Sequence, residues 1–310
     1  TYQDALKNTC LDSWQQILLA NEQSAGTAPA DAYPDSTIQL TPNQLPRTFS
    51  ASSHQQLIDC PYLYFCSRIL KLETTDEIKE TLSKSDYGHR IHQCLQAFHA
   101  QVFSMPPPFS MAINDENRTS AIQHLKEISA EVFRKDLENN FQHRSWLYRW
   151  NKIIPEYIDW QIKRSSQFTI EQTEINFRRQ ISDTIEIHGR LDRIDKSTDN
   201  KLAIVDYKTG LLPKLSDITS GEATQLITYA LLANDPFQVE YLALKKDEIK
   251  TNVFLNDDEL KQAVNSAKQR LIAIQESLSH NNNIPAWGDE KTCSYCTMSG
   301  ICRKQARDAF

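Results

Sequence analysis

The chain has 310 residues, of which 24% are charged and 40% hydrophobic, and a formal net charge of −6. This is the composition of an ordinary globular protein with enough chain to bury a sizeable core, in one large domain or two small ones; it gives no sign of a generally basic polyanion binder, so any such contact must come from a local patch. No apolar run approaches the roughly 20 residues of a membrane span and no signal-peptide pattern opens the chain, so a cytoplasmic location and no membrane partner are expected.

Residues 2–21 have helix-forming composition, with Leu6, Leu11, Trp14, Leu18 and Leu19 near helical spacing. Residues 22–47 shift to Ala, Pro, Ser, Thr and Asp without periodicity, so residues 1–47 read as a helix followed by a linker arm. Ser50-Ala51-Ser52-Ser53 offers helix-capping residues ahead of Leu57, Cys60-Pro61 and an aromatic run of Tyr62, Tyr64 and Phe65. A helix is predicted over 85–103, with Ile91, Leu95, Phe98 and Val102 on its apolar side, broken by Pro106-Pro107-Pro108. Residues 116–139 and 146–167 are predicted helical, with Pro155 starting the last piece. Arg144, Arg149, Lys152, Lys163 and Arg164 scatter positive charge along this region.

Residues 168–181 alternate as a strand does. Two further β-type segments, 184–194 and 202–208, flank the turn-prone Ser197-Thr198-Asp199-Asn200 and predict a hairpin. Alternation puts Leu202, Ile204, Asp206 and Lys208 on one face, and the hairpin brings Asp192 near Asp206. Two carboxylates and a lysine at one end of a sheet make chemical sense around a divalent cation. Hard oxygen donors suit Mg²⁺ or Mn²⁺, and the lysine can orient a water or neutralise developing charge. A loop over 211–221 leads to a helix over 222–234 with Gln225 and Tyr229 on one face. Strands are predicted at 237–245 and 251–255, then a helix to residue 279 whose N-terminus carries Asp257 and Asp258.

The sequence holds seven cysteines, and three of them cluster as Cys293-x2-Cys296-x5-Cys302. An odd count in a chain without secretory signals argues against a disulfide framework, and the tight spacing points to metal ligation. Three thiolates need a fourth ligand. Spacing does not decide between zinc and a [4Fe–4S] cluster. Cys10 and Cys94 have no evident partner and are expected to be buried thiols.

The run Gly189-Arg190-Leu191-Asp192-Arg193-Ile194-Asp195, then Asp206-Tyr207-Lys208-Thr209-Gly210, then Gln225 and Tyr229, resembles the PD-(D/E)XK nuclease core of the RecB/AddB type. Gly88 and His92 fit the G-x-x-x-H element of the same family. The resemblance covers roughly residues 60–302 and implies an α/β fold, a restriction-endonuclease-like mixed sheet flanked by helices with additional helical segments. It implies metal ligation by His92, Asp192 and Asp206, with Glu174 as a further acidic residue near the metal. Lys208 is implied as catalytic, and Gln225 and Tyr229 as residues that hold the DNA strand or the surroundings of Lys208. One cysteine upstream and three downstream of the core favour an iron–sulfur cluster on Cys60, Cys293, Cys296 and Cys302, with Cys66 as competitor for the upstream place and zinc as the other metal. Residues 48–310 are then a nuclease domain closed by that cluster.

The expected function is Mg²⁺- or Mn²⁺-dependent hydrolysis of DNA phosphodiester bonds, as an exonuclease, in repair or recombination. Such domains sit at the end of a helicase-like protein, and the chain opens at Thr1, so the expected partners are DNA and a helicase region of the same longer protein or a separate helicase chain. Two rival expectations are a catalytically silent module that grasps DNA ends, against which the intact Asp192, Asp206 and Lys208 speak, and a zinc-stapled scaffold without DNA affinity.

Overall fold

The structure is a computed structural model and describes residues 40, 44–73, 83–139, 143–233, 235–245, 248–280, 284–302 and 304. The helix expected over 2–21 and most of the arm after it lie outside the described residues.

Strand β1 (Thr48–Phe49) runs into helix α1 (Ala51–Asp59), whose start is fixed by a reciprocal cap. Ser50 Oγ accepts from the Ser53 amide at 3.1 Å, and the Ser50 amide donates back to Ser53 Oγ at 2.7 Å. Cys60 ends α1, and Pro61 opens α2 (Pro61–Tyr64), which continues through a π-helical turn at Phe65–Ile69. Helices α3 (Lys84–His99), α4 (Arg118–Asn139) and α5 (Arg144–Ser165) follow. Helix α3 stops earlier than its apolar pattern predicts. The chain doubles back there: the Phe109 amide donates to the Phe98 carbonyl at 3.0 Å and Phe109 stacks on Phe98, leaving Phe103 95% exposed. Pro155 does not start a new helix; it lies inside α5. Its missing amide costs about 3 kcal/mol, which the burial of Trp150, Ile153, Ile154, Tyr157 and Ile158 along the same helix outweighs.

The hairpin forms as expected, from β3 (Ile185–Ser197) and β4 (Leu202–Lys208), with β2 (Phe168–Ser182) ahead of it. The loop after β4 contains a short helix α6 (Leu215–Thr219), then come α7 (Gln225–Leu232), β5 (Gln238–Lys245), β6 (Glu248–Asn256) and α8 (Asp257–Ser279). Two short helices, α9 (Glu290–Ser294) and α10 (Ser299–Cys302), close the described chain.

Among the described residues the strands make one mixed sheet of six, in the order β1-β3-β4-β5-β6, with β2 on β3. Because β2 lines β3 from Ile185 to Ser197, β1 and β4 must share its other edge. There β1 runs parallel at Glu186 and Ile187, and β4 antiparallel from Arg193↔Val205 to Lys196↔Leu202. β5 is parallel to β4, and β6 antiparallel to β5.

Alternation along β4 splits the core in two. Ile204 packs under α1, α7 and α8 with Leu57, Leu226, Leu231, Leu260 and Leu271. Val205 and Tyr207 pack on the other face under α3, α4 and α5 with Ile91, Phe98, Leu125, Trp150 and Tyr157. A thinner third core joins Leu40, Phe65 and Cys66 to Leu278, Ile284 and Met298. Among the described residues no helix is long and apolar enough to cross a membrane.

Candidate active site

The polar end of the β3–β4 hairpin lies where the strands part. Arg193↔Val205 is the last registered pair, and the next amide of β4 facing β3 is that of Tyr207. It donates to Asp192 Oδ2 at 2.9 Å, so a side-chain carboxylate takes the place of a ladder carbonyl. Two glycines let helices close on this point. A Cβ on Gly88 would lie 3.1 Å from Thr209 Oγ1, so α3 meets the end of β4. A Cβ on Gly189 would lie 2.9 Å from Leu232, so α7 settles against β3.

From α3, His92 reaches over the sheet end. Its Nε2 stands 3.0 Å from the Tyr207 carbonyl, and its Nδ1 stands 3.3 Å from Asp192 Oδ1 and 3.6 Å from Glu174 Oε1. Glu174 is aimed there by a backbone departure: its φ is 51° inside β2, between the registered pairs Thr173↔Arg193 and Ile175↔Leu191. A non-glycine residue held so costs on the order of 1–3 kcal/mol, a cost usually met where geometry serves chemistry. Arg190 pairs with the other oxygen of Glu174. One donor atom each from His92, Glu174 and Asp192 lie within 4.8 Å of one another.

Asp206 lies beside this trio and outside it. Gln225 Nε2 donates to Asp206 Oδ1 at 3.2 Å and stands 3.0 Å from the Tyr229 hydroxyl, while Lys208 Nζ stands 2.7 Å from Asp206 Oδ2. The Lys208 ammonium is thus the contact of Oδ2, and a carboxylate oxygen held by one cation keeps a lone pair for another partner. The Lys208 ammonium also sits 5.3 Å from the centre of the Tyr241 ring.

Burial pushes the Asp206 carboxyl up to about 7, and the Asp192 charge adds to this against the pull of Lys208. Burial works against the His92 cation, yet the Asp192 carboxylate, joined by Glu174, overcomes it and drives the imidazole up to about 10. Both shifts have one origin, several carboxylates gathered in a place shielded from water. A cation relieves that repulsion, and one imidazole with several carboxylate oxygens is a donor set that fits Mg²⁺ or Mn²⁺.

Every acid, base and amide expected at this site is therefore within one neighbourhood. Sequence reasoning missed Arg190, although alternation from Asp192 already put it on the same face of β3.

The cysteines form a second cluster. Cys60 and Cys66 are buried, whereas Cys293, Cys296 and Cys302 are partly exposed, and all five are free thiols. Cys293 lies within electrostatic reach of Cys296, Cys60 and Cys302, and Cys66 of Cys302, Cys296 and Cys60. Burial pushes the Cys66 thiol up. Cys94 is buried, as expected.

A sequence profile of the PD-(D/E)XK nuclease superfamily matches residues 48–303. The chain is 26% identical over 229 residues to an ATP-dependent helicase/deoxyribonuclease component of Streptococcus agalactiae serotype III, covering 73% of this chain and 20% of that protein. It is 21% identical over 345 residues to the exonuclease/helicase protein RexB of Lactococcus lactis subsp. cremoris, covering 87% of this chain and 30% of that one. An uncharacterized protein of Rickettsia bellii is 27% identical over 190 residues, covering 60% of this chain and 22% of that protein. The chain thus corresponds to a fifth to three tenths of these relatives. With the mixed sheet, its flanking helices and the superfamily match over most of its length, the chain belongs to the PD-(D/E)XK nuclease superfamily.

Proposed function

We propose that this chain is a divalent-metal-dependent deoxyribonuclease domain, acting as an exonuclease on DNA ends or single strands in repair or recombination. The observation that carries the reading is the meeting of His92, Glu174 and Asp192 beside the Asp206–Lys208 pair. His92, Glu174, Asp192 and Asp206 would hold Mg²⁺ or Mn²⁺. Bound there, the cation would polarise a phosphate oxygen and make a coordinated water more acidic. Lys208 is assigned to the phosphate, where its ammonium offsets negative charge that grows as the P–O bond breaks. Gln225 keeps Asp206 Oδ1 turned toward α7 and leaves Oδ2 for the site, and Tyr229 holds Gln225 in that orientation.

The named relatives include helicase and deoxyribonuclease components, which supports a helicase as partner, in the same polypeptide or beside it. Residues 48–310 are assigned to the nuclease domain and residues 1–47 to an arm. The neighbouring thiols Cys60, Cys293, Cys296 and Cys302 are assigned to a [4Fe–4S] cluster, with zinc as the other metal that such a set accepts.

End-labelled single- and double-stranded DNA, incubated with the protein and Mg²⁺, Mn²⁺ or EDTA, tests the reading. Cleavage is expected with either metal, none with EDTA, and about a thousandfold less by Asp206→Ala. Binding without cleavage in both metals would instead identify a silent end-binding module. Iron and sulfide analysis after anaerobic purification tests the cluster, and stoichiometric zinc without iron would replace it.

A further inference from the structure

Asp192 and Asp206 lie on neighbouring strands beyond their last registered pair, Arg193↔Val205, so main-chain hydrogen bonds no longer set the gap between them. The backbone of one residue stands in for the ladder. Tyr207 gives its N–H to Asp192 Oδ2 and offers its carbonyl to His92 Nε2, at 2.9 and 3.0 Å. A carbonyl can only accept, so Nε2 carries a proton and the lone pair of the neutral imidazole is left on Nδ1, the nitrogen that faces Asp192 and Glu174. The position of the Tyr207 main chain therefore decides both where Asp192 sits and which histidine nitrogen meets a metal.

What holds the Tyr207 main chain lies on the opposite face. The residue next to each aspartate in the chain, Arg193 and Tyr207, points to the core under α3–α5, and both are almost wholly buried, 1% and 3% exposed. There Arg193 Nη1 stands 3.4 Å from both the Tyr207 and Tyr157 hydroxyls and 2.7 Å from Gln161 Oε1. Arg193 Nε donates to Asp195 Oδ1 at 2.6 Å, and Arg164 closes the group by pairing with Asp195 and Glu240. A guanidinium taken wholly out of water is costly even when paired, and apolar side chains of similar size often fill such a place with little loss of stability. Stability alone gives this group no reason to exist, whereas a rigid brace between the two aspartate-bearing strands does.

We propose that Arg193 and Tyr207 are positioning residues, a brace beneath the sheet that fixes the Tyr207 main chain and through it the metal-binding geometry of His92 and Asp192. This rests on the metal-site reading above.

The test is Mn²⁺ affinity, read from the electron paramagnetic resonance signal of free Mn²⁺, for wild type, Tyr207→Phe, Tyr157→Phe and, as a control from the other core, Tyr64→Phe. Tyr207→Phe keeps the ring and removes the contact with Arg193. It is expected to bind Mn²⁺ three- to tenfold more weakly, to recover its cleavage rate at saturating Mn²⁺, and to melt close to wild type. Tyr157→Phe is expected to lose about twofold, and Tyr64→Phe nothing. Wild-type Mn²⁺ affinity in Tyr207→Phe overturns the brace and leaves the metal site standing. If Tyr207→Phe does not fold, Tyr157→Phe decides in the same way. An equal loss in Tyr64→Phe also overturns the proposal, because the effect is then a general one of softened cores. Absence of Mn²⁺ binding by the wild type overturns the metal-site reading itself.

Discussion

The acidic site takes His92 from α3, Glu174 from β2, Asp192 from β3 and Asp206 from β4, all on elements that pack into the two large cores. The cysteine corner takes Cys60 from the end of α1 and three thiols from α9, α10 and the turn between them, around a small core. Among the described residues, the Tyr62 amide donates to the Pro285 carbonyl at 3.2 Å and Trp287 Nε1 to the Ile58 carbonyl at 3.2 Å across its halves. Tyr295 and Ile301 beside it are exposed. The first site is imposed by a scaffold that would stand without it. On the cluster assignment proposed above, a bound metal would add to the cohesion of the second, and the two should then respond to mutation in opposite ways.

The strongest way to break this contrast is Cys60→Ala. A clip from Cys60 to the C-terminal thiols closes a loop around the whole nuclease core, and loop entropy puts such a closure at about 5 kcal/mol. Melting is expected to fall by more than about 10 °C, with protease resistance falling in parallel. Wild-type melting with iron retained would move the fourth ligand to Cys66. Asp206→Ala is the opposite case. Cleavage should drop by about a thousandfold, in line with the loss of one well-placed charge-stabilising group, while the melting temperature holds or rises slightly because repulsion with Asp192 is gone. A large loss of stability would show that the acidic site also supports the fold.

His54 joins the two regions. It belongs to α1, which ends at Cys60, and its Nδ1 stands 2.9 Å from Thr228 Oγ1 on α7, one residue from Tyr229. Burial, reinforced by the charge of Arg270, pushes its imidazole down from 6.5 to about 4. The unfolded chain therefore binds the extra proton between those values, so stability is complete above pH 6.5 and falls as the pH drops toward 4, by up to about 3 kcal/mol. Chemical denaturation at pH 7 and pH 5 should show the slope, and His54→Gln should flatten it. An unchanged slope in that variant would assign the effect to other groups.

The smallest expected effect concerns Glu174. Glu174→Gly should be more stable than Glu174→Gln by about 1 kcal/mol, since glycine accepts φ 51° without strain. Both should lose cleavage. Equal stability would mean that the bend in β2 costs nothing.

Much of this was legible in the chain. Alternation placed Asp206 with Lys208 and helical spacing placed Gln225 with Tyr229, because a face within one element is a local property. The loops were harder. Phe103 reads as a continuation of α3 and is instead exposed, because the stacking of Phe109 on Phe98 is a contact that periodicity does not carry. Pro155 reads as a boundary and is not one, since the buried stripe of α5 outweighs a single missing amide. The strained φ of Glu174 and the brace of Arg193 with Tyr207 had no signal at all; both arise from the way three strands meet.

The third core also dictates an order of events in time. It joins Phe65 and Cys66 to Ile284 and Met298, residues far apart in the chain, whereas the β2–β3–β4 meander joins near neighbours. Local contacts form early and distant ones late. The cysteine corner therefore closes only after residues 284–302 have joined residues 40–66, later than the β2–β3–β4 meander can form. Until then Phe65 and Cys66 lack their distant partners, which leaves this corner more open to proteolysis than the meander.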